Sequence, residues 1–151
     1  MTIDDLRARI DALDAQVLDL LNERARLATE IGRRKADRTE SFFAPAREKQ
    51  VIQGLLSRNG GPLPERAVRA IYREIISACR ALEKPLRVAY WGPPASFTHV
   101  ASLQKFGVLT DYIACDTVAD VFATVSKKQA GYGVVPIENS VEGAVSVTLD
   151  E

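Results

Sequence analysis

Three observations predict an all-α segment of three helices over residues 1–84, followed by an incomplete α/β segment, βαβαβ, over residues 85–151. Aliphatic side chains step by three and four residues through the first part. Near Lys84-Pro85 that pattern gives way to short apolar runs alternating with helical stretches. Proline and glycine stand in both parts where helices start and strands turn.

The first helix is the clearest element. From Ile3 the series Leu6, Ile10, Leu13, Val17, Leu20, Arg24, Leu27 and Ile31 repeats about every 3.5 residues. Asp4 and Asp5 suit its positive N-terminal end, and it is expected to run to about Lys35. Residues 36–44 are polar apart from Phe42-Phe43 and read as a loop. Pro45 fits the first turn of a second helix that carries Val51, Ile52, Leu55 and Leu56 and stops at Asn59-Gly60-Gly61. Pro62 and Pro64 introduce a third, with Val68, Ile71, Ile75, Cys79 and Leu82 on one face, ending before Pro85. The long seam is more than two shorter helices can cover. A second copy of the chain is the natural cover, so an intertwined all-α homodimer is predicted for residues 1–84.

Beyond the change, Leu86 to Trp91 reads as a strand and Gly92-Pro93-Pro94 as its turn. Ser96 or Thr98 caps a helix reaching Phe106-Gly107. Tyr112 to Cys115 is a second strand, Thr117 to Asp120 resembles a capping box opening a helix through Val125, and Tyr132 to Ile137 is a third strand. This order implies the start of a parallel sheet. Such sheets usually need helices on both faces, and 66 residues from Leu86 supply only part of a domain.

Composition excludes several classes. Of 151 residues, 46% are hydrophobic and 26% charged, and 20 basic residues balance 20 acidic ones. No overall field therefore favours nucleic acid or an anionic membrane. No apolar run is long enough to span a bilayer, and residues 1–6 lack the basic stretch and apolar core of a secretory leader. Cys79 and Cys115 have no metal-type spacing and His99 is the single histidine, so no metal is expected. Two free thiols fit a reducing cytoplasm.

Arg24 interrupts an otherwise aliphatic seam. A cation there either faces an anionic ligand or snorkels to solvent and pairs with a helical carboxylate, because burying it bare costs several kcal/mol. Lys35 lies 11 residues on, nearly the same face, about 16 Å along the axis. Together the two could hold a small dianion. Arg7 is about 42 Å from Lys35 on the same helix, so it can serve such a site only from an antiparallel partner. Taken alone, Arg7 and Lys35 also read as unrelated surface charges. Glu48, beside Arg47, is in line with Ile52 and Leu55. Cys79 and Glu83 are an i, i+4 pair on the apolar side of the third helix. Glu83 is either a stray charge at a helix end or a carboxyl facing a pocket, where its pKa would rise and it could donate as the neutral acid.

Leu6-Arg-Ala-Arg-Ile-Asp-Ala-Leu-Asp14, Glu23-Arg-Ala-Arg-Leu27, Ile31-Gly-Arg-Arg-Lys35, Pro45-Ala-Arg-Glu48 and Ile75-Ile-Ser-Ala-Cys-Arg-Ala-Leu-Glu83 closely resemble the all-helical chorismate mutases, over nearly all of residues 3–84. The resemblance implies an intertwined homodimer that converts chorismate to prephenate, in phenylalanine and tyrosine biosynthesis, without a cofactor. It assigns Arg24 to one substrate carboxylate and Arg7 of the second chain to another. Lys35 would donate to the ether oxygen of the breaking bond and Glu48 would accept from the substrate hydroxyl, with Arg47 helping to hold the site. Glu83 falls where many members have glutamine, a second donor to the ether oxygen, and Cys79 where serine is common. Two departures matter. Ala44 stands where many relatives have aspartate, and Glu83 can replace glutamine only when protonated.

In the second part, Gly92-Pro-Pro-Ala-Ser-Phe-Thr-His99 and Tyr132-Gly-Val-Val-Pro-Ile-Glu-Asn-Ser-Val-Glu-Gly143 resemble the start of prephenate dehydratase, the first motif departing at Ala95, Ser96 and Thr98. The resemblance makes Glu138, Asn139 and Ser140 substrate-binding residues of a domain of which only the first part is present. No dehydratase activity is expected of it. Two other classes stay open: a dimeric module that binds an aromatic-pathway acid through the same cations without turnover, and a helical dimerisation element.

Overall fold

The computed structural model describes residues 1–36, 44–139 and 143–144. Its first half is three helices, α1 (Ile3–Ala36), α2 (Pro45–Arg58) and α3 (Glu65–Glu83). Proline is absent from α1 and glycine occurs once, so nothing interrupts its hydrogen-bond ladder. Its start is a reciprocal cap. The Thr2 hydroxyl accepts from the Asp5 amide at 3.1 Å, and the Asp5 carboxylate accepts from the Thr2 amide at 2.7 Å. Arg33, Arg34 and Lys35 in the last turn complement the negative end. The α2 helix opens on Pro45 as expected, and α3 follows directly on Pro64. Phe42 and Phe43 lie outside the described residues.

The α3 helix is central, packed against both α1 and α2. Its expected apolar face is only partly realised within one chain. Val68 and Cys79 are buried, whereas Ile71 and Leu82 are exposed. On α1 the aliphatic members of the seam, from Ile3 to Ile31, remain 47–68% exposed. Three helices have too few faces to cover a stripe about 42 Å long. Stripes of this size on soluble proteins mark interaction surfaces.

The second half is a parallel sheet flanked by two helices: β1 (Arg87–Trp91), α4 (Phe97–Phe106), β2 (Asp111–Cys115), α5 (Val118–Ser126) and β3 (Tyr132–Val134), with strand order β2-β1-β3. Ser96 rather than Thr98 caps α4, its hydroxyl accepting from the His99 amide at 3.2 Å; Thr117 caps α5 in the same way from Asp120. The central strand shows the two-residue period of a sheet covered on both faces. Val88 packs with Phe106 of α4, and Ala89 with Val121 of α5. The third strand is shorter than the expected Tyr132–Ile137. Pro136 has no amide hydrogen to give a ladder, and Ile137 is exposed. Beyond it, β4 (Glu138–Asn139) pairs antiparallel with β5 (Gly143–Ala144).

The two halves meet where α4 ends. The Phe106 carbonyl accepts from Ser77 Oγ at 2.9 Å, Arg80 Nη2 at 2.8 Å and Thr110 Oγ1 at 2.8 Å. The Val108 amide donates to the Glu74 carboxylate at 3.0 Å. Gly107 makes this approach feasible. Its φ is +84°, and a Cβ there would stand 2.6 Å from Ser77 Oγ.

Candidate active site

A cavity of about 260 Å³ opens between α1, α2 and α3. Arg24, Leu27, Ile31 and Lys35 line it from α1, Arg47, Glu48 and Val51 from α2, and Ile76, Cys79, Arg80 and Glu83 from α3. Three-to-four residue spacing on each helix puts these side chains on one face. Ala44, just before α2, closes one edge with a methyl group. Small concave sites with apolar walls and a few convergent charges are the usual form of a ligand pocket.

Six residues singled out from the sequence thus converge: Arg24, Lys35, Arg47, Glu48, Cys79 and Glu83. Arg24 is half-buried and its Nη1 donates to the Cys79 sulfur at 3.1 Å, so it neither snorkels away nor pairs with a carboxylate of its own helix. Arg7 is not brought to this cavity by its own chain. It is exposed and pairs with Asp4 at 3.2 Å, an interaction of little energetic consequence at the surface. Glu138 and Asn139 form β4 in the other half, and Ser140 lies outside the described residues.

Sequence reasoning missed Arg80. It is buried, at 5% exposure, and its Nη1 donates to the Glu48 carboxylate in a tight ion pair across the cavity wall. A signal was available. Ile76, Arg80 and Glu83 share the three-to-four spacing of a single stripe, and a half-buried Glu48 requires a cation.

The two carboxyls are both displaced upward. Burial pushes Glu48 above the ordinary glutamate value, and the Arg80 guanidinium, with a smaller contribution from Lys105 of α4, pulls it back. Burial likewise raises Glu83, opposed by Lys35, then Arg80, then Arg24. The backbone holds Glu83 close to α1. A Cβ on Gly32 would come within 2.9 Å of Glu83 Cγ, so glycine lets the helices touch at the cavity rim.

The family profile described as chorismate mutase type II matches residues 6–84, just over half of the chain. The chain belongs to that family. A second profile, prephenate dehydratase, matches residues 88–151. This chorismate mutase family member is 49% identical over 97% of its length to the bifunctional chorismate mutase/prephenate dehydratase of Aquifex aeolicus, and 44% identical over 99% to that of Neisseria gonorrhoeae. It spans only 41% and 42% of those two relatives. Among solved structures, chorismate mutase (form II) from Thermus thermophilus superposes with a TM-score of 0.54 at 35% identity, covering 54% of this chain and 93% of that one.

Proposed function

We propose that residues 1–84 form a chorismate mutase domain that rearranges chorismate to prephenate in the α1–α2–α3 cavity, completed by a second copy of the chain, and that residues 85–151 form a separate, dehydratase-like unit. The observation that carries this reading is the convergence of Arg24, Lys35, Glu48 and Glu83 on one small cavity. The rearrangement is pericyclic: a carbon–oxygen ether bond breaks as a carbon–carbon bond forms, with no nucleophile and no proton transfer. Acceleration then comes from holding a flexible dianion in its folded, reactive conformer and from stabilising negative charge that grows on the ether oxygen.

The residues divide accordingly. Arg24 binds one carboxylate and the second chain's Arg7 the other. Lys35 donates to the ether oxygen, and Glu83 does so from the other side as the neutral acid, which its raised pKa favours. Glu48, as carboxylate, accepts from the substrate hydroxyl, with Arg47 beside it at the rim. Cys79 lines the pocket and orients Arg24. The exposed α1 seam supports the homodimer. Both cysteines are buried and free, which suits a reducing cytoplasm.

Loss of chorismate absorbance in the ultraviolet, followed for the chain and for Arg24→Ala, tests the reading. Arg24→Ala should lower kcat/KM roughly thirtyfold or more, as expected for truncating one partner of a desolvated charge pair. No turnover by the unaltered chain would refute it; tight chorismate binding without turnover would favour the binding module. A variant that binds ligand as before would favour the dimerisation element.

A further inference from the structure

We propose that Arg80 is a positioning residue that ties the placement of Glu48 in the mutase cavity to the docking of the α/β unit, through the Phe106 carbonyl at the end of α4. The proposal rests on the mutase reading of the cavity and adds to it a route by which the second unit acts on the first.

The geometry is a fork with two occupied tines. Arg80 Nη1 donates to Glu48 on α2, and Nη2 of the same guanidinium donates to the Phe106 carbonyl at 2.8 Å. A planar guanidinium held at both terminal nitrogens is restrained in rotation, so the Glu48 carboxylate inherits an orientation set partly outside the mutase bundle. The acceptor is well chosen. Phe106 is the last residue of α4, where carbonyls lack helical partners and the helix end carries partial negative charge. Ser77 and Thr110 donate to the same oxygen and fix it against α3. Lys105, one residue earlier on α4, adds a second cationic influence on Glu48. Arg80 and Ser77 are both almost fully buried, so this joint is part of the folded core rather than a surface contact.

Glu48 is needed as an acceptor, so activity is lost on its acidic side. The charged groups around it are Arg24 and Lys35 of α1, Arg47 of α2, Arg80 and Glu83 of α3, and Lys105 of α4. Removing the Arg80 charge leaves burial less opposed at both Glu48 and Glu83. Both limbs of the kcat/KM profile should then move to higher pH together. A lesion that only loosens packing lowers the plateau and moves neither limb.

The test uses the full chain, with dimer state and circular dichroism checked for each variant. Arg80→Gln should lower plateau kcat/KM roughly ten- to a hundredfold, the range a hydrogen bond to a charged group supports, and raise both limbs. Arg80→Lys keeps the charge but cannot bridge two acceptors in the plane, so it should lose plateau activity with limbs near those of the unaltered chain. Gly107→Ala, remote from substrate, should force the Phe106 corner off Ser77 and reduce kcat/KM several-fold. If that variant fails to fold, Ser77→Ala decides, since it removes a donor that fixes the Phe106 carbonyl without lining the cavity: a reduced plateau kcat/KM supports the link and an unchanged one overturns it. Unchanged limbs in Arg80→Gln, or unchanged kcat/KM in folded Gly107→Ala, overturn the proposal while leaving the mutase reading intact. Absence of turnover by the unaltered chain refutes the mutase reading instead.

Discussion

Replacing Glu83 by glutamine should convert a falling basic limb into a flat one. Glu83 is wedged between α3 and α1, with its Cγ in the space a Cβ on Gly32 would need. An isosteric amide therefore keeps the side-chain pose and changes only the donor. In the proposed role Glu83 donates when protonated, and its raised pKa holds the proton to higher pH than an ordinary glutamate would. As pH rises through that value the carboxyl ionises and the donor is lost. A donor aimed at developing negative charge is worth about 2.7–4 kcal/mol, or roughly 10²–10³ in kcat. The unaltered chain should lose activity on that scale along its basic limb, whereas Glu83→Gln should not. Bound substrate brings two carboxylates near Glu83, which pushes its pKa up further, so the limb in kcat should lie above that in kcat/KM. The assay is chorismate disappearance at saturating and limiting substrate across the pH range. A basic limb that persists unchanged in Glu83→Gln would remove Glu83 from the donor role. The sign for stability is consistent: the folded state holds this proton more tightly than the unfolded chain, so the contribution of Glu83 falls as pH rises from the unfolded to the folded value. Glu83→Gln should lessen that decline in Tm.

Other perturbations read other parts of the site. Gly32→Ala should push α1 from α3 and cost about 1–3 kcal/mol by overpacking, seen in denaturant melts, with a loss of kcat because Glu83 and Lys35 move apart. Leu13→Glu places a charge in the exposed seam and should leave a monomer by gel filtration with no mutase activity. Arg7→Ala and Arg24→Ala, each expected to be strongly impaired alone, should regain activity when unfolded together and refolded at equal amounts. Random pairing restores about a quarter of the sites if each pocket draws its two arginines from different chains. No regain would place Arg7 outside the pocket.

Local features were the legible ones. Helix limits followed from Pro45, Pro64 and the acidic first turn of α1, because proline and dipole effects act within a turn. The strand–helix alternation also followed, since Val88 and Ala89 need opposite apolar neighbours. The end of the third strand was misjudged because an apolar run, Val-Val-Pro-Ile, outlasts the amide donors that make a ladder. Of the six cavity-lining residues, Arg24, Glu48 and Glu83 were legible from pattern, a cation on a seam and carboxyls in line with apolar stripes, and Lys35 from its spacing to Arg24; Arg47 and Cys79 came only through the family resemblance. Arg80 departs from pattern as well, but its meaning depends on two partners 32 and 26 residues away. Such placement is a property of packing. Gly32 was passed over for the same reason, since its use is the nearness of Glu83.

The seam itself carries more than the need for a partner: it is symmetric about its own middle. Two α1 helices laid antiparallel with Val17 on the two-fold axis set Ile10 opposite Arg24 and Ile3 opposite Ile31, with Leu13 and Leu20, and Leu6 and Leu27, facing within one residue. Every aliphatic position meets another except at Ile10, whose counterpart is the arginine that turns into the cavity. Arg7 lies one turn from Ile10, so the same register carries it toward the Arg24 of the other chain. A one-turn slip in either direction would lose this matching; one direction sets Arg7 abreast of Arg24 and the other separates them by a further turn. The register has a direct test. Val17→Cys should be joined to its symmetry mate by a short bismaleimide, since helices packed on such a seam lie about 8–10 Å apart. Asp4→Cys should not be, because its two copies would stand about 39 Å apart along the axis. Cross-linking at Asp4 would mean parallel helices where Val17 is joined as well, or an antiparallel pair slipped to an axis near Asp4 where it is not. In either arrangement Arg7 and Arg24 belong to different ends of the dimer and cannot hold one dianion between them.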